Sequence, residues 1–277
     1  MPDIRVGLPR VPSRESPELA VADVLAAGFT ACEIDLAGGF WLDKEFAAGL
    51  GAAATDQGVT LTVHAPIPAF LGHVDRGAKL KRALGMLDHS AGLAILAGAR
   101  LVVVHPGFLL ERDRDEAIDS VVEQFTQLRE RLLGKGRDVP FGIEMMGRVR
   151  DLGSAADVFE MAQRLDWVEP VIDFAHLHAV SDGAFVEAEQ FATILAQADE
   201  LLSPATPFHI HFSDIAFANR NETKHLPYGE GTLRAEPLRE ALATFKRPAL
   251  VISESPDLES HRAIQGLLEP TTPEPAR

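Results

Sequence analysis

Cysteine is almost missing from this chain, and so is any long uninterrupted hydrophobic run. One cysteine, Cys32, stands among 277 residues, which excludes an internal disulfide and fits a reducing, cytoplasmic setting. The opening MPDIRVGLPR has no basic stretch followed by an apolar one, so no secretory signal is expected. The longest apolar stretch, 83–98, is broken by Asp88 and His89 and does not read as membrane-spanning. Basic residues are in deficit too, 26 against 41 acidic, for a formal net charge of −15. That balance weighs against a general nucleic-acid coating role, which needs positive surface at the phosphates. It leaves room for a local one, because bound divalent cations would make a cleft positive by themselves. No P-loop, dinucleotide fingerprint or Ser-His-Asp spacing occurs, so ATP, NAD and acyl-enzyme chemistry have no support.

What the chain does have is apolar residues, 46% of the total, enough to bury a sizeable core. Its length suits one large domain, expected over 1–268, with a proline-rich, disordered tail at 269–277. Six apolar runs each close on a side chain able to hold a metal. They are VTLTVHA ending on His64, RLVVVHPG on His105, PFGIEM on Glu144, EPVIDF on Asp173, FHIHFSD on His211 and ALVISES on Glu254. Any one of these would mean little alone. As a series they predict strands that deliver their end residues to one place.

Strand-like segments fall at 4–8, 31–36, 59–64, 101–105, 141–145, 170–174, 208–212 and 249–254. Helical patterns lie between them at 16–27, 43–57, 79–97, 115–133, 154–165, 182–201 and 235–245, and a last one covers 257–268. Ser16 before Pro17, and Ser154 before Ala155, Val158, Phe159 and Ala162, are cap-competent starts. The strands are short and almost continuously apolar, as expected of a parallel sheet covered by helices. Eight such units predict an α/β fold of the (β/α)₈, TIM-barrel type, whose active site lies at the C-terminal strand ends. A doubly wound open sheet would not gather six successive strand ends around one point.

The seventh strand shows the expected geometry. In Phe208-His209-Ile210-His211-Phe212 the apolar residues share one face and the histidines the other. His211, nearer the top, is expected to ligate, and His209 to be a buried, hydrogen-bonded core residue. His176, in Asp173-Phe174-Ala175-His176, and His225, before Pro227-Tyr228-Gly229-Glu230-Gly231, are expected in loops just beyond strand ends. The resulting set of five imidazoles and three carboxylates suits Zn²⁺, with Mn²⁺ or Fe²⁺ possible.

The segments V-V-V-H-P-G at 102–107, I-E at 143–144, I-D-F-A-H at 172–176, H-F-S-D at 211–214, H-L-P-Y-G-E-G at 225–231 and E-S at 254–255 resemble the apurinic/apyrimidinic endonuclease IV family. That family lies within the xylose isomerase-like TIM barrels. The resemblance implies a zinc cluster of two or three ions that cleaves DNA at abasic sites. One ion would be held by His64, His105 and Glu144, and a second by Glu144, Asp173, His211 and Glu254. A third would use His176, His225 and an acidic residue two positions before His225. Glu144, as the bridge, and Glu254, orienting water, are the implied catalytic residues.

Four departures from that pattern are visible. The third acidic position is Thr223, with Glu222 beside it. After Glu144 the chain reads Met145-Met146-Gly147-Arg148, and after His64 it reads Ala65-Pro66-Ile67-Pro68. The first strand, V-G-L-P-R, has no early histidine. Arg148, Arg150, Arg220 and Lys224 are candidates for phosphate contacts or ordinary loop charges. The competing reading is a sugar isomerase or epimerase of the same superfamily. It would hold one divalent metal at Glu144, Asp173, His211 and Glu254, and use Glu144 and Glu254 as an acid–base pair on a small sugar. His64, His105 and His225 would then lack a metal role. His73, His89, His178 and His261 read as surface or packing residues, and Cys32 as a small buried hydrophobe. Phe40 and Trp41 read as loop aromatics at the active end, or as a stacking platform.

Overall fold

The computed structural model describes residues 2–73, 77–109 and 111–269. The expected tail therefore lies almost wholly outside the described residues. Ten strands and nine α-helices are seen among them. In chain order they are β1 (Ile4–Gly7), α1 (Pro17–Ala26), β2 (Ala31–Asp35), α2 (Lys44–Gln57), β3 (Thr60–His64), α3 (Ala78–Leu96), β4 (Val102–Val104), α4 (Arg114–Leu133), β5 (Phe141–Glu144) and α5 (Ala155–Arg164). They continue with β6 (Val168–Asp173), α6 (Phe174–Val180), α7 (Ala188–Leu201), β7 (Phe208–Phe212), β8 (Asp214–Ala218), β9 (Asn221–Leu226), α8 (Ala235–Leu242), β10 (Ala249–Ser253) and α9 (Leu258–Leu268). No helix among the described residues is long and apolar enough to cross a membrane.

Eight strands form one sheet in the order β1-β10-β7-β6-β5-β4-β3-β2, every pairing parallel. The ring closes between β1 and β2 through the Leu8–Cys32 bridge, where Leu8 N donates to Ala31 O at 3.1 Å and Glu33 N to Leu8 O at 2.8 Å. This is the expected (β/α)₈ barrel. Helix starts follow local chemistry. Ser16 Oγ caps α1 by accepting from Leu19 N, and Ser154 and Asp157 form a capping box on α5, each such cap worth about 1 kcal/mol.

Alternation along the strands divides the core in two. Cys32, Ile34, Leu61, Val63, Val102, Val104, Ile143, Ile172, Phe208, Ile210 and Val251 join the layer between sheet and helices. The residues between them face the barrel interior, where Ala31, Leu250 and Ile252 make one small cluster and Leu101, Val103 and Val171 another. Cys32 is fully buried, as its strand position predicts.

Two local expectations are corrected. The helix expected from Asp182 begins at Ala188, and a separate short helix, α6, precedes it. Asp182 and Gly183 take positive φ of 58° and 87°, which breaks the helical run. The segment after β7 is an antiparallel hairpin, β8–β9. It turns at Asn219 and Arg220 with φ of 51° and 61°, the type I′ geometry of two-residue hairpins. Arginine at the second turn position hides the usual Asn-Gly signal.

Gly142 on β5 has no room for a side chain, since a Cβ there would run into Val171 Cγ2 and come within 2.8 Å of Leu101 Cδ2. Gly142→Ala is expected to destabilise the barrel by about 1–3 kcal/mol through overpacking. Urea unfolding monitored by circular dichroism checks this, and an unchanged midpoint would show that the interior layer can relax.

Candidate metal centre

His64, Glu144 and Asp173 are the last residues of β3, β5 and β6; His211 is the fourth residue of β7; His105 and Glu254 directly follow β4 and β10. Strand parity turns all six inward at the C-terminal end of the barrel. Glu144 lies at the centre. Its Oε2 is 3.2 Å from His64 Nε2 and 3.0 Å from His105 Nε2. Its Oε1 is 3.5 Å from His211 Nδ1 and 3.4 Å from His176 Nδ1. Glu254 extends the ring, with Oε1 3.3 Å from His211 Nδ1 and Oε2 3.8 Å from His225 Nε2.

The side chains fall into groups whose potential ligand atoms lie within 4.8 Å of one another: His64, His105 and Glu144; Glu144, Asp173, His211 and Glu254; and His176, Glu222 and His225. Their donor chemistry fits a divalent cation of the zinc type, imidazole-rich with carboxylates. Asp173 Oδ2 and His211 Nδ1 are buried without a hydrogen-bond partner among the described residues. That is costly unless a ligand completes them.

Most imidazoles are oriented from behind. His64 Nδ1 lies 2.8 Å from Ala65 O and His176 Nδ1 2.9 Å from Met145 O. These carbonyls can only accept, so each ring carries a proton on Nδ1, and Nε2, turned to the site, is the nitrogen at which a cation would replace a proton. His225 Nδ1 pairs with Ser213 Oγ at 2.6 Å.

Several placements differ from expectation. His176 lies in α6 and His225 in β9, neither in a loop. Asp173 Oδ1 accepts from His176 N at 2.8 Å, so Asp-x-x-His is a helix N-cap as well as a cluster of donors. The acidic member of the third group is Glu222, not Thr223. Ala216 pairs with Lys224 and Phe217 with Glu222, a register shift that skips Thr223. Thr223 Oγ1 donates instead to Ala216 O at 2.9 Å. A bulge of one residue reverses the parity of what precedes it, and Glu222 Oε2 thereby reaches His176 Nε2 at 2.7 Å. Gly147 makes space for this contact, since a Cβ there would stand 2.7 Å from His176 Cδ2 and 2.8 Å from Glu222 Oε2. Arg148 Nε lies 3.3 Å from Glu222 Oε1.

His209 is buried, yet neither ring nitrogen has a hydrogen-bond partner among the described residues, which corrects the expectation of a hydrogen-bonded core histidine. His178 and His261 are packing residues held by Thr232 Oγ1 and Ser253 Oγ, both at 2.8 Å. Phe40 packs on His89 and Phe70 on His73. Trp41 is fixed by its Nε1 donating to Asp35 O at 2.8 Å, with Arg14 4.3 Å above its ring. Arg220 donates to Val180 O, and Arg150 lies over Phe108 at 6.0 Å.

Two participants escaped the sequence reading. Glu33, mid-strand in β2, is buried against His209 and His211. Its signal was a carboxylate between Cys32 and Ile34, both core residues. Arg10 is the cation among the described residues lining the cavity of about 280 Å³ above the cluster, beside Pro9, Asp35, Ile67 and Met146. It follows a strand with no metal-capable end, so nothing in the series pointed to it.

A parallel barrel with imidazoles and carboxylates converging at its C-terminal face defines a class of metal-capable (β/α)₈ enzymes. Residues 21–270 match the family model for the xylose isomerase-like TIM barrels of the AP endonuclease 2 type, and the chain belongs to that family. An uncharacterized protein of Methanocaldococcus jannaschii is 25% identical over 256 residues, covering 91% of this chain and 92% of that one. Among solved structures, a D-tagatose 3-epimerase-like protein superposes with a TM-score of 0.75 at 18% identity, covering 95% of each chain. Endonuclease IV from Thermus thermophilus superposes with a TM-score of 0.71 at 18% identity, covering 95% of this chain and 98% of that one. At such identities the two structural likenesses are of fold.

Without cations, protons compensate the crowded carboxylates. Burial opposes a charge on His64, but the hydrogen bond and charge of Glu144, with Glu33, raise it from 6.5 to about 9. Burial raises Asp173 from 3.8 to about 8. For Glu222 burial is overcome by the His176 contact, which lowers it from 4.5 to about 2. His64 therefore stabilises the metal-free fold fully below 6.5 and loses this as pH rises through 9. Asp173 becomes increasingly destabilising between 3.8 and 8, and Glu222 stabilises above 4.5 and loses this as pH falls towards 2. The thermal midpoint of the protein in chelator is expected to fall from about pH 6.5 to 9, and to fall again below about pH 4.5. Added divalent metal should flatten the alkaline fall, because metal ligands must be deprotonated. An alkaline limb already flat in chelator would contradict this account.

Proposed function

We propose that this protein is a metal-dependent phosphodiester hydrolase acting on DNA at abasic sites through two or three zinc ions. The observation that carries the reading is Glu144. One of its oxygens faces His64 and His105 of the first group, and the other faces His211 of the second. A carboxylate divided in this way between two ligand groups suits a bridge between two cations. A single-metal centre at Glu144, Asp173, His211 and Glu254 would give His64, His105, Glu222 and His225 no common purpose. Membership of the xylose isomerase-like TIM barrel family is compatible with this substrate class.

His64, His105 and Glu144 would hold one ion, and Glu144, Asp173, His211 and Glu254 a second. His176, Glu222 and His225 would hold a third, with Glu222 in the role expected of position 223. Cations in these places would acidify water and neutralise the attacking and leaving oxygens of an in-line displacement. The chain's own contributions are distinct. Glu254, at the cavity floor, orients water and accepts its proton, while Arg10 gives the phosphate a positive partner at the rim. Ile67 and Met146 line the cavity with apolar surface. A cytoplasmic setting, expected from the lone cysteine, completes the proposal.

Elemental analysis of protein purified without added metal or affinity histidines is the first test. Two or three zinc equivalents, with nicking of a duplex that carries one abasic site, are expected. A single manganese equivalent with epimerisation of a ketose would sink the hydrolase reading and establish the sugar-epimerase one. Glu144→Ala should lose more than one metal equivalent and reduce cleavage by at least about 10³-fold. Glu222→Ala should lose one equivalent and Thr223→Ala none. Full metal content in Glu144→Ala would show that the bridge is wrongly assigned.

A further inference from the structure

Beneath these groups lies a buried carboxylate that the proposed reaction does not use. Glu33 is the third residue of β2 and only 1% exposed. Its Oε2 accepts from Thr62 Oγ1 on the adjacent strand at 2.9 Å. Its Oε1 lies 3.4 Å from His211 Nε2, and its Oε2 3.7 Å from His209 Nε2. A carboxylate in a barrel interior loses its hydration and is costly to bury. Ala31, Leu250 and Ile252 show that apolar side chains can fill this interior, so packing alone does not call for Glu33.

His211 explains its presence. His64 and His176 each place Nδ1 against a backbone carbonyl and turn Nε2 towards the site. His211 is reversed: Nδ1 faces Glu254 at 3.3 Å and Glu144 at 3.5 Å, while Nε2 faces down the barrel. An imidazole can ligate through one nitrogen only when its proton sits on the other. His211 lies inside a strand paired on both sides, with β6 and β10. The surrounding carbonyls are committed to the ladders, so a side chain must supply the acceptor. Among the described residues Glu33 is the carboxylate that stands beside that nitrogen, at 3.4 Å and short of hydrogen-bond geometry, so that both ring nitrogens of His211 are buried without a hydrogen-bond partner. His209, its ring 5.3 Å from that of His211, braces it from below.

We propose that Glu33 is a positioning residue for the metal centre: it holds the proton on His211 Nε2 and so presents Nδ1 to the Glu144–Asp173–Glu254 group, with Thr62 fixing the carboxylate's rotation. The inference rests on the metal-centre reading above. It needs no assumption about substrate.

The test is zinc binding by competition with a chromophoric chelator, using the full-length wild type, Glu33→Gln, Glu33→Ala and Thr62→Val, with thermal unfolding in excess chelator alongside. In Glu33→Ala the affinity of one zinc equivalent should fall by about 10–100-fold while the other equivalents keep theirs. Glu33→Gln, which retains an acceptor but not the charge, should fall less, and Thr62→Val least. The chelator measurement separates this selective loss from any general cost to the fold. If Glu33→Ala does not fold, the nearly isosteric Glu33→Gln decides. Wild-type affinity at every equivalent in the folded variants overturns the inference, as does an equal loss at all of them. A wild type that binds no zinc overturns the metal-centre reading itself, and this inference with it.

Discussion

Four imidazoles converge on one buried carboxylate. His64, His105, His176 and His211 all lie between 3.0 and 3.5 Å from an oxygen of Glu144, itself 1% exposed. Such a concentration of titratable groups in a low-dielectric interior is unfavourable unless its charge is balanced. In the metal-free chain protons supply the balance, which is why His64 and Asp173 are raised. Cations could supply it equally well, and the division of Glu144's oxygens between two ligand groups suits them. The rest of the site is arranged around this carboxylate. Carbonyls of the strand-end loops steer His64 and His176, α6 begins where Asp173 can cap it, and a hairpin brings Glu222 and His225 over the top.

The barrel supplies the precision that this arrangement requires. Strands with continuous hydrogen bonding on both sides allow little rotation, and period-two alternation separates outward core from inward chemistry. The outer layer is ordinary apolar packing. The interior is mixed, with small aliphatic clusters lower down and ionisable groups above. The third group differs in kind, because part of it is carried by the β8–β9 hairpin and a short helix. It depends on tighter local fits, such as the absence of a side chain at Gly147.

Family membership and fold together leave room for more than one chemistry. The endonuclease IV and epimerase-like structures superpose comparably on this chain, with TM-scores of 0.71 and 0.75. Function must therefore be argued from the site. A mononuclear centre needs the four residues Glu144, Asp173, His211 and Glu254. This chain also gathers His64 and His105 on one side of Glu144, and His176, Glu222 and His225 on the other. That surplus of ligands supports the hydrolase proposal more than any overall likeness does.

The barrel and most of its strand-end residues were legible in the amino-acid sequence, for one physical reason. A short parallel strand is recognisable by its apolar run, and parity then determines which way its last residue points. Glu144, Asp173 and His211 needed nothing more. Tertiary structure decided whatever broke that parity or lay outside it. The bulge that replaces Thr223 by Glu222 depends on how β8 and β9 pair, and pairing is not encoded in either strand alone. The helix at Phe174–Val180 exists because Asp173 folds back to cap it. Glu33 lies in mid-strand rather than at an end, and its relation to His211 forms only when the ring of strands closes, bringing residues 178 positions apart into one interior.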